Sequence, residues 1–213
     1  MADIRLARSL MYTILPVAVC AGTVKMPVSF HVPRSWKILE QKQTDSRTYF
    51  LYEIESSSGG ATNRVPSNAL IQWYKAPVGF GFTNFDNVVF DRVKNATLVV
   101  SGADEKTWKT YLFASTEKGQ QLIILYRIGI QSGIVAEAMI SFPAVPAEND
   151  GPAKVLTIEE SSVTAESMAG VLCSPARFGG LVNSFNDFCA SLKIHGKNNF
   201  TARVKLIDPP QAH

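Results

Sequence analysis

The sequence predicts an α+β fold: an antiparallel β-sheet run as a meander, with amphipathic helices packed on it. Three observations predict it. The runs "ATLVVSG", "TWKTYLFAS", "QLIILYRIGI" and "IVAEAMISF" follow one another with turns at Glu117 to Gly119 and at Gln131 to Gly133. Strands so closely spaced pair antiparallel, because parallel neighbours need long crossovers. Two segments change from strand-like alternation to helical spacing, at residues 83–93 and 174–192. The 213 residues are 46% hydrophobic and 18% charged, enough apolar material for one compact domain with a substantial core.

Taken in chain order, "VSFHVPRSWKIL" alternates apolar and polar residues and is interrupted by Pro33, so it reads as two short strands or one broken edge strand. "TYFLYEIES" and "ALIQWYKA" are the next strands, rich in aromatic and branched residues. Between them "SSSGGATNRVPSN" is a loop. Thr83 and Asp86 have capping-box spacing, and Phe85, Val88, Val89 and Val93 share a helical face. The meander follows. "FPAVPAENDGPAK" is a proline-rich excursion, and "IEE" at 158–160 falls in an irregular region. In the last helix Ser174 caps, Pro175 suits the first turn, and Phe178, Leu181, Val182, Phe185, Cys189 and Leu192 form one stripe that Gly196 ends. "FTARVKLI" is a closing strand and "DPPQAH" a flexible tail.

Residues 1–21 read as a secretory signal segment and 22–213 as a single α+β domain. Arg5 and Arg8 precede the uncharged stretch Leu10 to Ala21, and small residues follow at Ala18, Ala21 and Gly22. A charged start, an apolar middle and a small-residue end are the pattern of export, and the middle is short for a membrane span. An exported, periplasmic protein is expected. Cys20 marks the edge of the removable segment; lipid attachment there is the alternative, against which stands the bulky Val19. Once the segment is removed, Cys173 and Cys189 remain, an even pair that can close a disulfide in an oxidising compartment. Two small buried hydrophobes is the other reading.

The run "VSFHVPRSW", the hairpin "WKTYLFASTEKGQQLIILYRIGIQSGIVAEAMISFP" and the terminal "LVNSFNDFCASLKI" together resemble the PsbP-like fold, particularly its bacterial DcrB-like envelope members. The resemblance spans most of residues 27–195. It implies an α/β/α sandwich and an accessory or binding subunit in place of a catalyst. Some bacterial relatives serve secretion systems, which narrows the expectation to an envelope immunity protein that plugs a secreted toxin.

The residues themselves point the same way. There is no GxSxG elbow, HExxH, phosphate loop or dinucleotide fingerprint. The histidines are His31, His195 and His213, and a His31–His195 metal site is conceivable but no cofactor or metal is expected. A net charge of +3 with 21 scattered basic residues offers no stripe for nucleic acid, and a membrane role only through a lipid anchor. "YKAPVGFGFTNF" concentrates Tyr74, Phe80, Phe82 and Phe85 around two glycines and a proline, a candidate hot spot for a protein partner such as a secreted effector enzyme. The same rings can instead plug the gap between strand and helix. Arg64 is the charged candidate in the polar loop. Asn95 and Asn199 stand in glycosylation-like triplets. A small envelope hydrolase with a dispersed site is the alternative function, and it requires His31 or His195 beside a Ser, Asp or Glu.

Overall fold

The computed structural model describes residues 27–54, 67–104, 106–117, 120–144, 152–159, 170–173, 175–198 and 202–209. The segment read as an export signal, with Cys20, the loop residue Arg64, the expected cap Ser174, His213, Asn199 and the tail beyond 209 lie outside them. The elements are β1 (Val28–Ser29), β2 (Trp36–Gln43), β3 (Arg47–Ile54), β4 (Ser67–Lys75), a 3-10 turn (Phe82–Asn84) leading into α1 (Phe85–Arg92), β5 (Thr97–Asp104), β6 (Trp108–Glu117), β7 (Gln120–Gln131), β8 (Ile134–Ala144), β9 (Lys154–Ile158), β10 (Val171–Cys173), α2 (Pro175–Ser191), β11 (Lys193–Ile194) and β12 (Val204–Ile207).

Seven strands form one antiparallel sheet in the order β2-β3-β4-β8-β7-β6-β5. The meander β5 to β8 is the expected one, and β8 then pairs with β4 to join the two halves. The β7–β8 hairpin turns on Ser132 and Gly133, both at positive φ, the geometry a two-residue turn needs between twisted strands. Each edge strand carries a bulge, between Ile38 and Glu40 on β2 and between Leu98 and Val100 on β5. A bulge twists an edge and interrupts the regular row of donors and acceptors that would template further pairing.

Side chains alternate between the two faces, and the two are covered differently. One face carries Phe50, Tyr52, Ile71, Trp73, Leu112, Leu125, Ile140 and Phe142 against the stripe of α2, with Leu156, Ile158 and Val204 of a second sheet in the same cluster. That second sheet runs β10-β9-β12, also antiparallel. Its outer strand is tied to α2 by Asn186, whose Nδ2 donates to the Val204 carbonyl at 2.7 Å and whose Oδ1 accepts from the Val204 N–H at 3.1 Å. Aromatic rings fill the centre of the interface: Phe188 stacks on Trp36, Phe178 on Phe142, and Phe30 stands edge-on to Phe50, Trp73 and Phe188. The other face carries Tyr111, Phe113, Ile124, Tyr126, Ile128 and Val135 against Phe85, Val89 and Val93 of the α1 segment. Helices on opposite faces of a sheet make the α/β/α sandwich.

Several expectations are corrected. Thr83 and Asp86 do not form a capping box: Asn84 precedes α1, its Oδ1 accepts from the Gly81 N–H at 2.8 Å, and Asp86 is engaged elsewhere. Gly196 does not end α2, which stops at Ser191; with His195 it forms the positive-φ turn after β11. The segment around 154–158 is a strand, and β10 is a further one, both too short to show a period in the sequence. Cys173 and Cys189 are not bridged. Each is a buried thiol, one on β10 and one on α2, both within the apolar core. Burial pushes the Cys173 thiol up to about 11, away from the reactive thiolate.

Gly129 on β7 lies opposite Trp108 on β6, and a Cβ there would come within 2.2 Å of the indole. The Arg127 guanidinium also packs over that ring, 4.8 Å from its centroid. Ring and cation are both fully buried, so the indole has little room to yield. Gly129→Ala is expected to destabilise the fold by about 2 kcal/mol or more, the overpacking range, in urea unfolding.

Candidate functional site

The α1 face holds the unusual chemistry of the chain. Alternation along "IVAEAMISF" puts Glu137 on that face of the central strand β8, where it is 2% exposed. A carboxylate so buried needs donors on several sides. Gln72, its direct partner in the β4–β8 register, donates through Nε2 to Oε2. Tyr126 on β7 donates its hydroxyl to the same oxygen. From above, Arg92 at the end of α1 brings Nε to 3.5 Å from Oε2, an ion pair without hydrogen-bond geometry. Oε1 of Glu137 has no hydrogen-bond partner among the described residues.

The network continues across the sheet. Arg47 on β3 donates from Nη2 to the Gln72 amide oxygen, so Gln72 relays between Arg47 and Glu137. Beyond it the Tyr49 hydroxyl donates to Glu40 of β2. Tyr74, opposite Arg47 in register, lies half-buried at the border of the cluster and feels both Glu137 and Arg92. A second polar strap holds the other end of α1. Asp86 accepts from Lys109 Nζ and from the Tyr111 hydroxyl, each at 2.7 Å. The helix is thus fastened to the sheet at its first turn through an acid and at its last through a base.

These surroundings determine what the groups can do. Burial, the Glu137 charge and its hydrogen bond push the Tyr126 and Tyr74 hydroxyls up from their ordinary value. Burial and Asp86 do the same for Tyr111, and burial with Glu40 pushes Tyr49 up to about 12. All four are donors at neutral pH, not bases. Burial opposes the Arg92 charge, but Glu137, Tyr126 and Tyr74 outweigh it and hold the guanidinium above its usual range. Burial also works against the Asp86 carboxylate, and the hydrogen bonds from Lys109 and Tyr111 bring it below its usual value. Each of these tyrosine hydroxyls is held beside a carboxylate: Tyr126 and Tyr74 at Glu137, Tyr111 at Asp86 and Tyr49 at Glu40.

The sequence-derived candidates divide. Tyr74 stands in the cluster. Phe85 is fully buried beneath α1, and Phe80 and Phe82 are half-buried against it, with ring centroids 6.1 and 5.3 Å from Phe85. Those three rings fill the gap between strand and helix, so Phe85 in particular is out of a partner's reach. The large apolar side chains that do stand exposed around α1 are Val78, Phe90 and Leu98. His31 and His195 are separated by the β1–β11 ladder, which pairs Val28 with Ile194 and Ser29 with Lys193. At one end the His31 N–H donates to Ser191 Oγ at 2.8 Å; at the other the His195 N–H donates to the Pro27 carbonyl at 2.7 Å. Both are exposed, and no group of three His, Cys, Asp or Glu among the described residues could hold a metal ion.

Glu137, Gln72, Arg47 and Arg92 were not anticipated. A signal was present: Glu137 is the one charge in "IVAEAMISF", and Gln72 interrupts the apolar "ALIQWY". A lone ionisable residue inside an apolar strand run marks a buried charge that the fold must answer. The residues that answer it come from other strands and a helix, which no local pattern reveals.

No protein-family model matches the chain, and no curated protein is similar to it. Solved structures do align. A point mutant of Mog1 matches at 10% identity and a TM-score of 0.47, covering 79% of this chain and 90% of its own. The Saccharomyces cerevisiae Ran-binding protein Mog1p matches at 10% identity and a TM-score of 0.48, covering 82% and 94%. A Bacteroides thetaiotaomicron protein matches at 16% identity and a TM-score of 0.34, covering 62% of this chain and 48% of its own.

The two straps differ in burial and so in weight. Glu137→Ala would leave Gln72 and Tyr126 with unmet buried donors and is expected to cost about 2 kcal/mol or more in urea unfolding. Asp86, half-exposed, is expected to cost about 1 kcal/mol or less on the same change. Alkaline pH provides a separate check. A tyrosine proton held more tightly in the fold stabilises it in full below the unfolded value of 10.0, and that contribution is lost as pH climbs through the folded value, about 12 for Tyr49. Unfolding free energy should fall between pH 10 and 12, and phenolate absorbance of the folded protein should appear later than that of the unfolded chain. Tyr74→Phe and Tyr111→Phe should each flatten that fall.

Proposed function

We propose that this chain is an exported, non-catalytic protein-binding module whose partner seats on the part of the α1 face that α1 leaves open. The observation that carries this is the mismatch between the helix and the sheet beneath it. Eight residues of α1 reach about 12 Å, whereas seven strands spaced about 4.8 Å apart are about 29 Å across. The buried strand residues of the α1 cluster accordingly come from β6, β7 and β8, and β4 adds only the half-buried Tyr74 at its edge. Toward β3 and β4, Leu51 and Leu70 point to the same face and remain half-exposed, with Tyr49, Tyr74 and Met139 beside them. An apolar floor rimmed by fixed donors is the composition of a recognition surface.

Export is supported by the charged, apolar and small-residue pattern of the first 22 residues, and an accessory role by the PsbP-like resemblance. An envelope immunity protein is the narrower form of the same reading, with a secreted effector enzyme as the partner; Cys20 lipidation would add an anchor to it.

The test is site-specific photo-crosslinking in the source cells. A crosslinker at Leu51 or Leu70 should trap one stoichiometric partner outside the cytoplasmic membrane, and Leu70→Lys should abolish the adduct without changing the thermal midpoint. Failure to trap a partner from either position, or equal trapping from Ile38 on the β2 edge, would overturn the reading. A trapped enzyme whose activity the purified protein inhibits would identify the immunity role.

A further inference from the structure

We infer that Arg47 and Arg92 form a carboxylate-recognition site where α1 meets the open half of its face, and that its occupant is an acidic side chain of the protein partner. This deepens the protein-binding reading and rests on it.

Arg47 is half-buried on the sheet surface, and its guanidinium donates to the neutral Gln72 amide. Among the described residues no carboxylate lies within ion-pair distance of it, although five other cations have one. Its Nε is buried without an acceptor. Arg92 has the same orphaned Nε, since its approach to Glu137 at 3.5 Å lacks hydrogen-bond geometry, and its side chain is 38% exposed. Between the two guanidiniums stand Gln72 and Glu137, hydrogen-bonded to one another and directly opposite in register. Both cations therefore flank one short polar bridge.

The charge count selects the ligand. Among the described residues Glu137 pairs with Arg92, Glu40 is held by the Tyr49 hydroxyl, and no carboxylate pairs with Arg47, so one guanidinium stands unmatched in a partly desolvated place, where an unmatched charge is costly. A carboxylate neutralises it, and its two oxygens suit the planar donor fork of arginine. A phosphate, with close to two charges at neutral pH, would overshoot. Leu51 and Leu70 beside the site favour an acid flanked by apolar residues, as on the surface of a folded partner or an extended segment of one.

The test needs no partner in hand. The arginine Nε–H resonances of the labelled full-length protein are followed while Ac-Leu-Glu-Leu-NH2, its glutamine counterpart, or inorganic phosphate is added. The glutamate peptide should move the Arg47 and Arg92 resonances and the glutamine peptide should not. Arg47→Met, which keeps the aliphatic stem, should weaken the response about tenfold or more, a loss of about 1.4 kcal/mol. Arg47→Lys, which keeps the charge and loses the fork, should fall between. Unmoved arginine resonances, equal shifts with the glutamine peptide, or tighter binding of phosphate than of the glutamate peptide would each overturn the inference. A partner still trapped from Leu70 in that case would leave the protein-binding reading standing, so the two failures are distinguishable.

Discussion

A carboxylate buried in the middle of a sheet has to be answered from every side, and the outer architecture of this protein follows from how Glu137 is answered. Gln72 meets it along the sheet, Tyr126 from the neighbouring strand and Arg92 from the helix above. Hydrophobic contact alone would let an eight-residue helix slide or rotate on a flat apolar surface. The Arg92–Glu137 ion pair at its last turn, with Asp86 hydrogen-bonded to Lys109 and Tyr111 at its first, ties the helix at two points and so fixes its position and angle. A polar network of this kind gives specificity of arrangement more than net stability.

The two faces of the sheet therefore solve the same problem by different means. The α2 face uses area: a 17-residue helix, a second sheet and a cluster of aromatic rings leave little of it wet. Even there a cation is enclosed, Arg127, which lies over Trp108 and donates to Thr110 at 2.9 Å. The α1 face uses fewer and more directional contacts, and it stops short of the β3 and β4 strands. Area and directed polar contact are in this way allotted to opposite sides of one layer.

Much of the architecture was legible in the sequence because it is local. Strand alternation, the short turns of the meander and the apolar stripe of α2 are read from neighbours, and β2 to β8 and α2 lie where those patterns put them. What escaped was either too brief or too distant. Five residues of β9 and three of β10 are below the length at which a period can be seen. Asp86 had the spacing of a cap, yet a better pair of donors waited on β6, and tertiary contacts prevailed over the local motif. Phe80, Phe82 and Phe85 were visible as a group, but whether aromatic rings face a partner or a core depends on which strand folds beneath them. Glu137 was visible as an anomaly; its partners, drawn from β4, β7 and α1, were not.

The small ladder between β1 and β11 has a consequence in time. Val28 pairs with Ile194, so nearly the whole described chain lies between partners. During synthesis β1 is among the first elements to emerge and its partner among the last. The meander can assemble from contacts between successive strands, but joining the two ends of a loop this long carries a closure cost that only an otherwise formed core offsets. Phe30, just beyond β1, then locks against Phe50, Trp73 and Phe188, rings contributed by two strands and the last helix. β1 must therefore remain unpaired until α2 and β11 are in place, which makes this ladder a late step in folding.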